Sequence, residues 1–255
     1  MDASLGSFMA RFKFDPKRAG YVGVEREAFI VDRHLIPVPA APQVLNVLRD
    51  DPRFTFELSA CQIEMRSSPH FLLSSLGREL AVLDERLRAA ARAHGHLIDC
   101  TEVAASGMCL EVFPDPTGRY QRIKEALPHE TLSAACRIIG THVHVGMRDH
   151  RSALRTYNRL VERLPDLIRI GDRSNGERMR LYNIVAPHAT PPTFPDWRAF
   201  YDDARMHNYV DNPRDNWRLI RLTAHGTVEI RAFGTSPHLI DVIEWACECQ
   251  ELCDD

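Results

Sequence analysis

Two glutamates one residue apart lie in an otherwise apolar strand pattern, and they limit how this chain can fold. In YVGVEREAFIVD (residues 21–32) the strand period of two points Glu25 and Glu27 to the same face. The opposite face is apolar and carries Val22, Val24, Ala28 and Ile30. Neighbouring carboxylates repel each other, and burial removes their hydration. This pair therefore requires either full solvent exposure or a compensating cation.

Other segments combine an apolar face and a reactive face in the same way. They are RFTFELS with Glu57, CQIEMRSS with Glu64, GTHVHVGM with His142 and His144, and HGTVEIRAFG with Glu229 and Arg231. Each alternation predicts a β-strand. One regular strand would point Glu57 and Glu64 to opposite faces, because the difference between their positions is an odd number. A bulge or corner near residues 59–61 is required if both serve one site.

Helical patterns fill the segments between and after these strands. The predicted helices are one after SSPHF with Ser68 as its cap and Pro69 in its first turn, one from Ser152 to about Leu164, one from Pro237 to about Leu252 behind a Ser236 cap, and a shorter one after Pro195. Pro165 is expected to end the second of them. No linker or repeat divides the chain, so we expect one domain over residues 1–255.

The charge balance argues against nucleic-acid and membrane partners. The 255 residues carry 32 Lys and Arg against 35 Asp and Glu, a formal net charge of -3, which gives no bias toward a polyanion. No run approaches the roughly 20 apolar residues of a membrane span, and no signal-peptide core is evident. The cysteines form no CxxC pair and do not indicate a disulfide framework. We therefore expect a soluble, cytoplasmic protein.

A sheet built from these strands would gather five glutamates, two histidines and an arginine on one surface. Such negative charge in a cleft requires cations. Oxygen ligands with one or two imidazoles favour Mg2+ or Mn2+ over Zn2+, and carboxylates around such ions form a platform for a polyphosphate. Neither GxxxxGK[ST] nor GxGxxG occurs, so metals and arginines would have to hold the phosphates. Solvated polar faces explain any single segment, but the segments together favour a metal site.

Six segments follow one another in an order and spacing typical of a known family. They are GVEREAF, FELSACQIEMRSSP, GRYQRI, GTHVHVGM, PPTFPDWRAFY and HGTVEIRAFG, between about Tyr21 and Gly234. In this order they resemble glutamate-cysteine ligase type 2 and the YbdK-like carboxylate-amine ligases. The resemblance implies the α+β fold of the glutamine synthetase superfamily, a curved antiparallel sheet that lines the active site with helices behind it. It also implies ATP-dependent amide formation through an acyl phosphate, with release of ADP and phosphate.

The same resemblance implies roles for individual residues. It assigns one metal ion to Glu27, Glu57 and Glu64, and a second to Glu25, His142 and Glu229. It places His144 near the ATP phosphates, where it would bind the nucleotide and take part in catalysis. It gives Arg231 a catalytic contact with the transferred phosphoryl group or the substrate carboxylate, although an internal salt bridge to a neighbouring carboxylate is an open alternative. The implied substrates are a carboxylic acid such as glutamate and an amine such as cysteine, with ATP and Mg2+ as cofactors.

Two departures from the family pattern bear on these implications. IGDRSNGERMRLYN is shorter than the corresponding family segment, and either Arg178 or Arg180 takes the place of its nucleotide-binding arginine, unless the segment is a solvated turn. Family members commonly continue past the TVEIR strand with further helices. We therefore interpret residues 1–255 as a single carboxylate-amine ligase catalytic domain that is truncated at its C-terminus relative to the family.

Two other functions remain open at this point. A metal-dependent hydrolase could use the same carboxylates and histidines to activate water. A degenerate scaffold that binds metal or nucleotide is the second alternative, although a scaffold has little reason to tolerate five converging carboxylates. A homodimer is compatible with each of these functions.

Overall fold

A mixed-length antiparallel sheet organises this protein, for which a computed structural model describes residues 3–253. Within that range the strands are β1 (Val22–Val31), β2 (Phe54–Phe56), β3 (Gln62–Arg66), β4 (Leu97–Asp99), β5 (Thr141–Gly146), β6 (Ile220–Leu222) and β7 (Thr227–Phe233). Their order is β2-β3-β1-β5-β7-β6, and β4 also pairs with β1. Each of the reactive segments quoted above contains one of these strands, which confirms the strand predictions, and the fold is α+β.

The long strand β1 fixes which side chains meet. It pairs with β3 along one edge and with β5, then β4, along the other, always antiparallel. The register sets Glu25 opposite His142 and Glu27 opposite Glu64. Strand β7 continues the pattern, because it sets Glu229 opposite His144. Opposed residues point to the same face of a sheet, so these reactive side chains share one face.

Several of the helices cover the opposite, apolar face of the sheet. The helices are α1 (Ala3–Met9), α2 (Ala41–Val47), α3 (Leu73–Arg92), α4 (Arg119–Ala126), α5 (His129–Arg137), α6 (His150–Gly171), α7 (Glu177–Val185), α8 (Trp197–Met206) and α9 (Leu239–Cys253), with 3-10 turns at Pro16–Arg18 and Pro213–Asp215. Helices α3, α6 and α9 contact the strands directly. In α3 the buried leucines recur at three and four, and burying each contributes about 1.5–3 kcal/mol.

The structure corrects two predicted helix boundaries. Helix α6 continues through Pro165 to Gly171, and the buried Leu164 and Leu167 hold it against the core on both sides of the proline. Packing of that apolar stripe outweighs the lost backbone hydrogen bond. Helix α3 begins at Leu73 without a side-chain cap, and Ser68 instead donates its hydroxyl to Glu79 at 3.0 Å. The helices expected after Pro195 and near Pro237 are present as α8 and α9.

A second, smaller hydrophobic core covers the part of the reactive face that follows Glu27 along β1. Phe29 and Val31, which share the parity of the two glutamates on β1, are buried there. Leu132 and Cys136 of α5 pack against them. The second half of β1 is therefore buried on both faces, whereas its first half presents carboxylates to a cleft.

No helix within residues 3–253 combines the length and apolar content needed to cross a membrane.

A buried arginine lies on the apolar face, where the sequence pattern gave no reason to expect a charge. Arg26 is 1% exposed, and its Nη1 pairs with Asp84 Oδ1 of α3 at 2.7 Å. Its Nη2 donates to the carbonyl oxygen of Ser236 at 2.6 Å, just before α9. One guanidinium thus ties β1 to two helices, and its desolvation is tolerated because both partners are fixed.

We expect Arg26→Met to lower the free energy of unfolding by about 3 kcal/mol, because it removes the buried cation that pairs with Asp84 and that donates to the Ser236 carbonyl, while Asp84 keeps Arg88 as a partner. Arg88→Met is the matched control, since Arg88 also pairs with Asp84, at 2.6 Å, but is 31% exposed. The control should lose less than about 1 kcal/mol. Urea unfolding followed by circular dichroism measures both. Equal losses would show that Arg26 has no special structural role.

Candidate active site

Five glutamates and two histidines meet on one face of the sheet. Three groups each bring one ligand atom per residue within 4.8 Å of the others: Glu27, Glu57 and Glu64; Glu25, Glu64 and His142; and Glu25, His144 and Glu229. Glu25 and Glu64 each belong to two groups, so these seven side chains form one continuous cluster, the carboxylate row. All six residues proposed as metal ligands lie in it. His144 lies in it too and can act as a ligand, a role that the family resemblance did not give it.

A turn brings Glu57 next to Glu64. Strand β2 ends at Phe56, the chain reverses with Gln62 N–H donating to the Ser59 carbonyl at 3.0 Å, and β3 returns alongside β2. The register sets Thr55 opposite Glu64, so Glu57 lies diagonally across from Glu64 on the same face. The expected corner near residues 59–61 is therefore present. Glu57 and Glu64 share a face because they lie on opposite arms of a hairpin, where the alternation of side chains along a single strand does not apply.

The Glu27, Glu57 and Glu64 carboxyls lie in surroundings that resist ionisation. Burial raises the pKa of Glu57 to about 7, and the charge of Glu27 adds to this shift. Burial and the proximity of Glu57 raise the pKa of Glu64 well above its usual range. Burial also raises the pKa of Glu27, against the opposing effect of Arg231 and of the Gly140 amide, which donates to Oε2 at 2.6 Å. A cation among these oxygens would relieve the repulsion.

Glu25 lies between the two histidines. Its Oε2 is 3.4 Å from His142 Nδ1 and 3.5 Å from His144 Nε2. Burial opposes ionisation of Glu25, but hydrogen bonds from both rings hold its pKa below the usual range. Burial, aided by Arg231, lowers the pKa of His142 to about 4. Burial also opposes the charged form of His144, yet Glu229 and Glu25 raise its pKa overall.

Two arginines compensate Glu229 at the other end of the row. Arg231 Nη1 lies 2.6 Å from Glu229 Oε1, and Arg221 Nε pairs with the second carboxylate oxygen. Burial would raise the pKa of Glu229, but Arg221 and its other charged neighbours hold it below the usual range. The internal salt bridge considered for Arg231 is thus present. Arg221 was missed because β6 is only three residues long, although its register opposite Glu229 places it on the reactive face.

The two candidate arginines of IGDRSNGERMRLYN have different surroundings. Arg180 is 58% exposed, pairs with Glu177 at 2.7 Å on the same helix, and does not line the cleft within the described residues. Arg178 is 3% exposed and lines the cleft beside the row. It donates to the carbonyls of Ile139 at 2.9 Å and of Ala232 and Arg231 at 3.2 Å each. The geometry therefore favours Arg178 over Arg180 as a ligand-facing cation.

Two cavities flank the carboxylate row. The first, which we call the basic cavity, has a volume of about 410 Å3 and is lined by Lys13, Arg18 and Arg66 together with Glu25 and His144. The second, the apolar cavity, has a volume of about 430 Å3. It is lined at one end by Glu27, Glu57, Gln62, His142, Arg178 and Arg231, and elsewhere mainly by hydrophobic side chains of α4, α5 and α7. Ligands in the two cavities would meet at the row.

The side chains of the row fit hard divalent cations. Most of the available atoms are carboxylate oxygens, which Mg2+ and Mn2+ prefer, and imidazole nitrogens are the minority. His144 Nε2 is buried, and among residues 3–253 it lies 3.5 Å from Glu25 Oε2, the limit for a hydrogen bond, which leaves this nitrogen available to a ligand. Glu25, Glu64 and His142 form a second group of metal-ligating atoms, which shares Glu25 with the group of Glu25, His144 and Glu229.

The comparison with known protein families decides the assignment. The sequence model described as "Glutamate-cysteine ligase family 2 (GCS2)" matches residues 21–254. This chain belongs to that family. Its match to the glutamate-cysteine ligase of Haloferax volcanii is 28% identical and covers 84% of this chain and 64% of the relative. The match to the glutamate-cysteine ligase of Natronomonas pharaonis is 27% identical and covers 89% of this chain and 66% of the relative.

The structural comparison agrees with this fold. A bifunctional glutathione synthetase from Pasteurella multocida superposes with a TM-score of 0.62 at 14% identity, covering 100% of this chain and 40% of that chain. At this identity the similarity concerns the fold alone. This chain of the glutamate-cysteine ligase family 2 spans a little under two thirds of the length of the curated relatives named above.

We expect Glu64→Gln to weaken Mg2+ binding at least about tenfold while leaving the metal-free protein as stable as the wild type or more so, because it removes one of three mutually repelling carboxyls. Mg2+-dependent shifts in thermal unfolding measure both effects. Glu85→Gln on the exposed face of α3 is the control and should change neither. Strong destabilisation of the metal-free Glu64→Gln protein would instead make this carboxyl a structural group.

Proposed function

We propose that this chain carries the catalytic domain of an ATP-dependent carboxylate-amine ligase, with residues 1–255 acting as one unit. The observation that supports this proposal is the position of the carboxylate row between a basic and an apolar cavity. The glutamate-cysteine ligase family 2 match supports the reaction class. In this proposal the sheet curves around the active site as in glutamine synthetase, and its reactive face forms the floor.

The basic cavity suits the phosphates of ATP. Lys13, Arg18 and Arg66 line it, and cationic side chains of this kind form charge-assisted hydrogen bonds with phosphate oxygens. His144 lies where this cavity meets the row. Mg2+ or Mn2+ held by the row would neutralise phosphate charge and orient the chain of phosphates. Arg180 is not part of this nucleotide site, since it is exposed and paired with Glu177.

The proposed reaction activates a carboxylate by phosphorylation. A carboxylate oxygen of the acid attacks the terminal phosphorus of ATP, and ADP leaves with the electrons of the broken phosphorus–oxygen bond. The amine then attacks the acyl carbon, loses a proton, and displaces inorganic phosphate. One oxygen of the original carboxylate leaves in that phosphate. Water-exclusion by the apolar walls protects the acyl phosphate from hydrolysis.

Arg231 is the catalytic residue in this proposal. Its Nε donates to the Tyr182 hydroxyl at 3.2 Å and its Nη1 to Glu229, which together fix the guanidinium plane. Its Nη2 makes no hydrogen bond within the part of the chain that the structure describes, and Arg231 lines the apolar cavity. A guanidinium fixed in this way can stabilise charge that develops on the transferred phosphoryl group.

The substrates and the location complete the proposal. The names of the relatives make glutamate and cysteine the first acid and amine to test. None of the seven cysteines is in a disulfide, which is compatible with the reducing cytoplasm that we propose. Partners other than small molecules, a homodimer included, are not needed for the reaction.

We expect Arg231→Lys to lower kcat at least about tenfold and to change the KM for ATP much less, because a lysine ammonium cannot contact Tyr182 and Glu229 in the same way while presenting a further donor to the transferred phosphoryl group. Initial rates of ADP release, in the presence of acid, amine and Mg2+, measure both constants. Arg180→Lys, at the exposed arginine of α7, is the control and should retain wild-type rates.

Isotope transfer tests the mechanism separately. An 18O label in the acid carboxylate should appear in the inorganic phosphate. Release of AMP and pyrophosphate would contradict the acyl phosphate. Hydrolysis of a substrate without ATP consumption would support a metal-dependent hydrolase instead.

A further inference from the structure

Most of the charged groups that line the apolar cavity lie at one end. Glu27, Glu57, His142, Arg178 and Arg231 lie at the end next to the carboxylate row. The rest of the lining is formed largely by aliphatic and aromatic side chains, among them Ile123, Leu127, Ile138, Val185 and Trp217. A ligand that fills this cavity therefore meets a polar end and an apolar body, an arrangement that discriminates between ligands by the polarity of their far end.

The polar end favours an anion. Arg178 is buried and donates only to backbone carbonyls and to the Met179 sulfur, and no carboxylate lies within ion-pair distance of it among residues 3–253. Its positive charge is therefore not neutralised by direct contact. The free Nη2 edge of Arg231 lines the same end. A substrate carboxylate placed there is attracted by both guanidinium groups and lies beside the row.

The apolar walls disfavour an α-amino group. In the described part of the chain, the carboxylates that line this cavity are Glu27 and Glu57, and both belong to the row. Away from that end, the lining side chains that carry polar atoms are Arg119, Tyr120, Thr131, Tyr182 and Trp217, and none of them is a carboxylate. Arg119 repels an ammonium, and neutral hydroxyls are poor substitutes for a counter-ion. An ammonium group buried against these walls loses hydration that the protein does not replace.

The Trp217 ring forms part of the wall of the apolar cavity. The Arg231 guanidinium carbon lies 5.9 Å from the centre of the Trp217 ring, and half of the Trp217 side chain is exposed. The ring thus borders the cavity beside the catalytic arginine, where an aromatic side chain can pack against a planar ligand.

We propose, on the basis of the ligase function above, that the acid substrate of this chain is a monocarboxylic acid with an aromatic or branched aliphatic body and no α-amino group. Its carboxylate lies between Arg178 and Arg231, and its body fills the space between Ile138, Val185 and Trp217. Glutamate, which carries an ammonium at its far end, is disfavoured because no carboxylate lines that part of the cavity within residues 3–253.

Phenylacetate and phenylglycine form a matched pair of probes, because they differ by one α-ammonium group. In calorimetric titrations with Mg2+ and a non-hydrolysable ATP analogue present, we expect phenylacetate to bind at least about tenfold more tightly than phenylglycine or glutamate. Val185→Asp places a carboxylate in the wall and should narrow or reverse the preference for phenylacetate over phenylglycine. Asn183→Asp adds the same charge to the exposed side of α7 and should leave the preference unchanged.

Hydroxylamine separates the substrate class from the ligase function, since it traps an acyl phosphate as a hydroxamate whatever the natural amine is. Hydroxamate and ADP formed with phenylacetate in preference to glutamate would support both proposals. Hydroxamate formed preferentially with glutamate would overturn the substrate class and leave the ligase function intact. Tight binding of phenylacetate without hydroxamate from any acid would uphold the cavity's preference and reject the ligase function. Equal or weaker binding of phenylacetate than of phenylglycine would overturn the inference.

Discussion

Repulsion among buried carboxylates on one face of the sheet is the constraint on which the rest of this site depends. The protein compensates it unevenly. At the β7 end, Arg221 and Arg231 both pair with Glu229. At the β3 end, Glu27 and Glu57 have no arginine within ion-pair distance among residues 3–253, and the exposed Arg66 lies 3.7 Å from Glu64. Arginines thus compensate the negative charge of the row at the β7 end, whereas at the β3 end the repulsion is left largely uncompensated by the described residues, and a bound cation would relieve it.

The opposite face of the same strands explains why this charge can be concentrated. Val24, Val143 and Ile230 are each at most 1% exposed and lie against the helices. A shift of one residue in any strand would exchange these side chains with the carboxylates and histidines. The apolar core therefore fixes the register that holds like charges together. Arg26 strengthens this arrangement by tying β1 to α3 and to the segment before α9.

The strands and the row were predictable from sequence because alternation with a period of two fixes side-chain direction. The end of α6 and the surroundings of four arginines could not be predicted, because they depend on tertiary packing. Pro165 does not end α6, since packing on both sides outweighs one lost hydrogen bond. Arg26 was missed because its partner Asp84 is distant in sequence, and Arg221 was missed because its own strand, β6, is too short to recognise. The direction of Arg178 and Arg180 follows from how α7 packs, which no local pattern reports.

The two sets of side chains around the apolar cavity belong to different kinds of structural element. The row is carried by strands whose pairing leaves little freedom, whereas much of the hydrophobic lining comes from the ends of α4, α5 and α7. Substitutions at helix ends change the shape of a pocket without shifting a strand register. Under the proposed ligase function, such a division would let a scaffold diversify in the acids it accepts while its phosphate chemistry is inherited intact, and it would make the helix ends the place to begin laboratory evolution toward new acids.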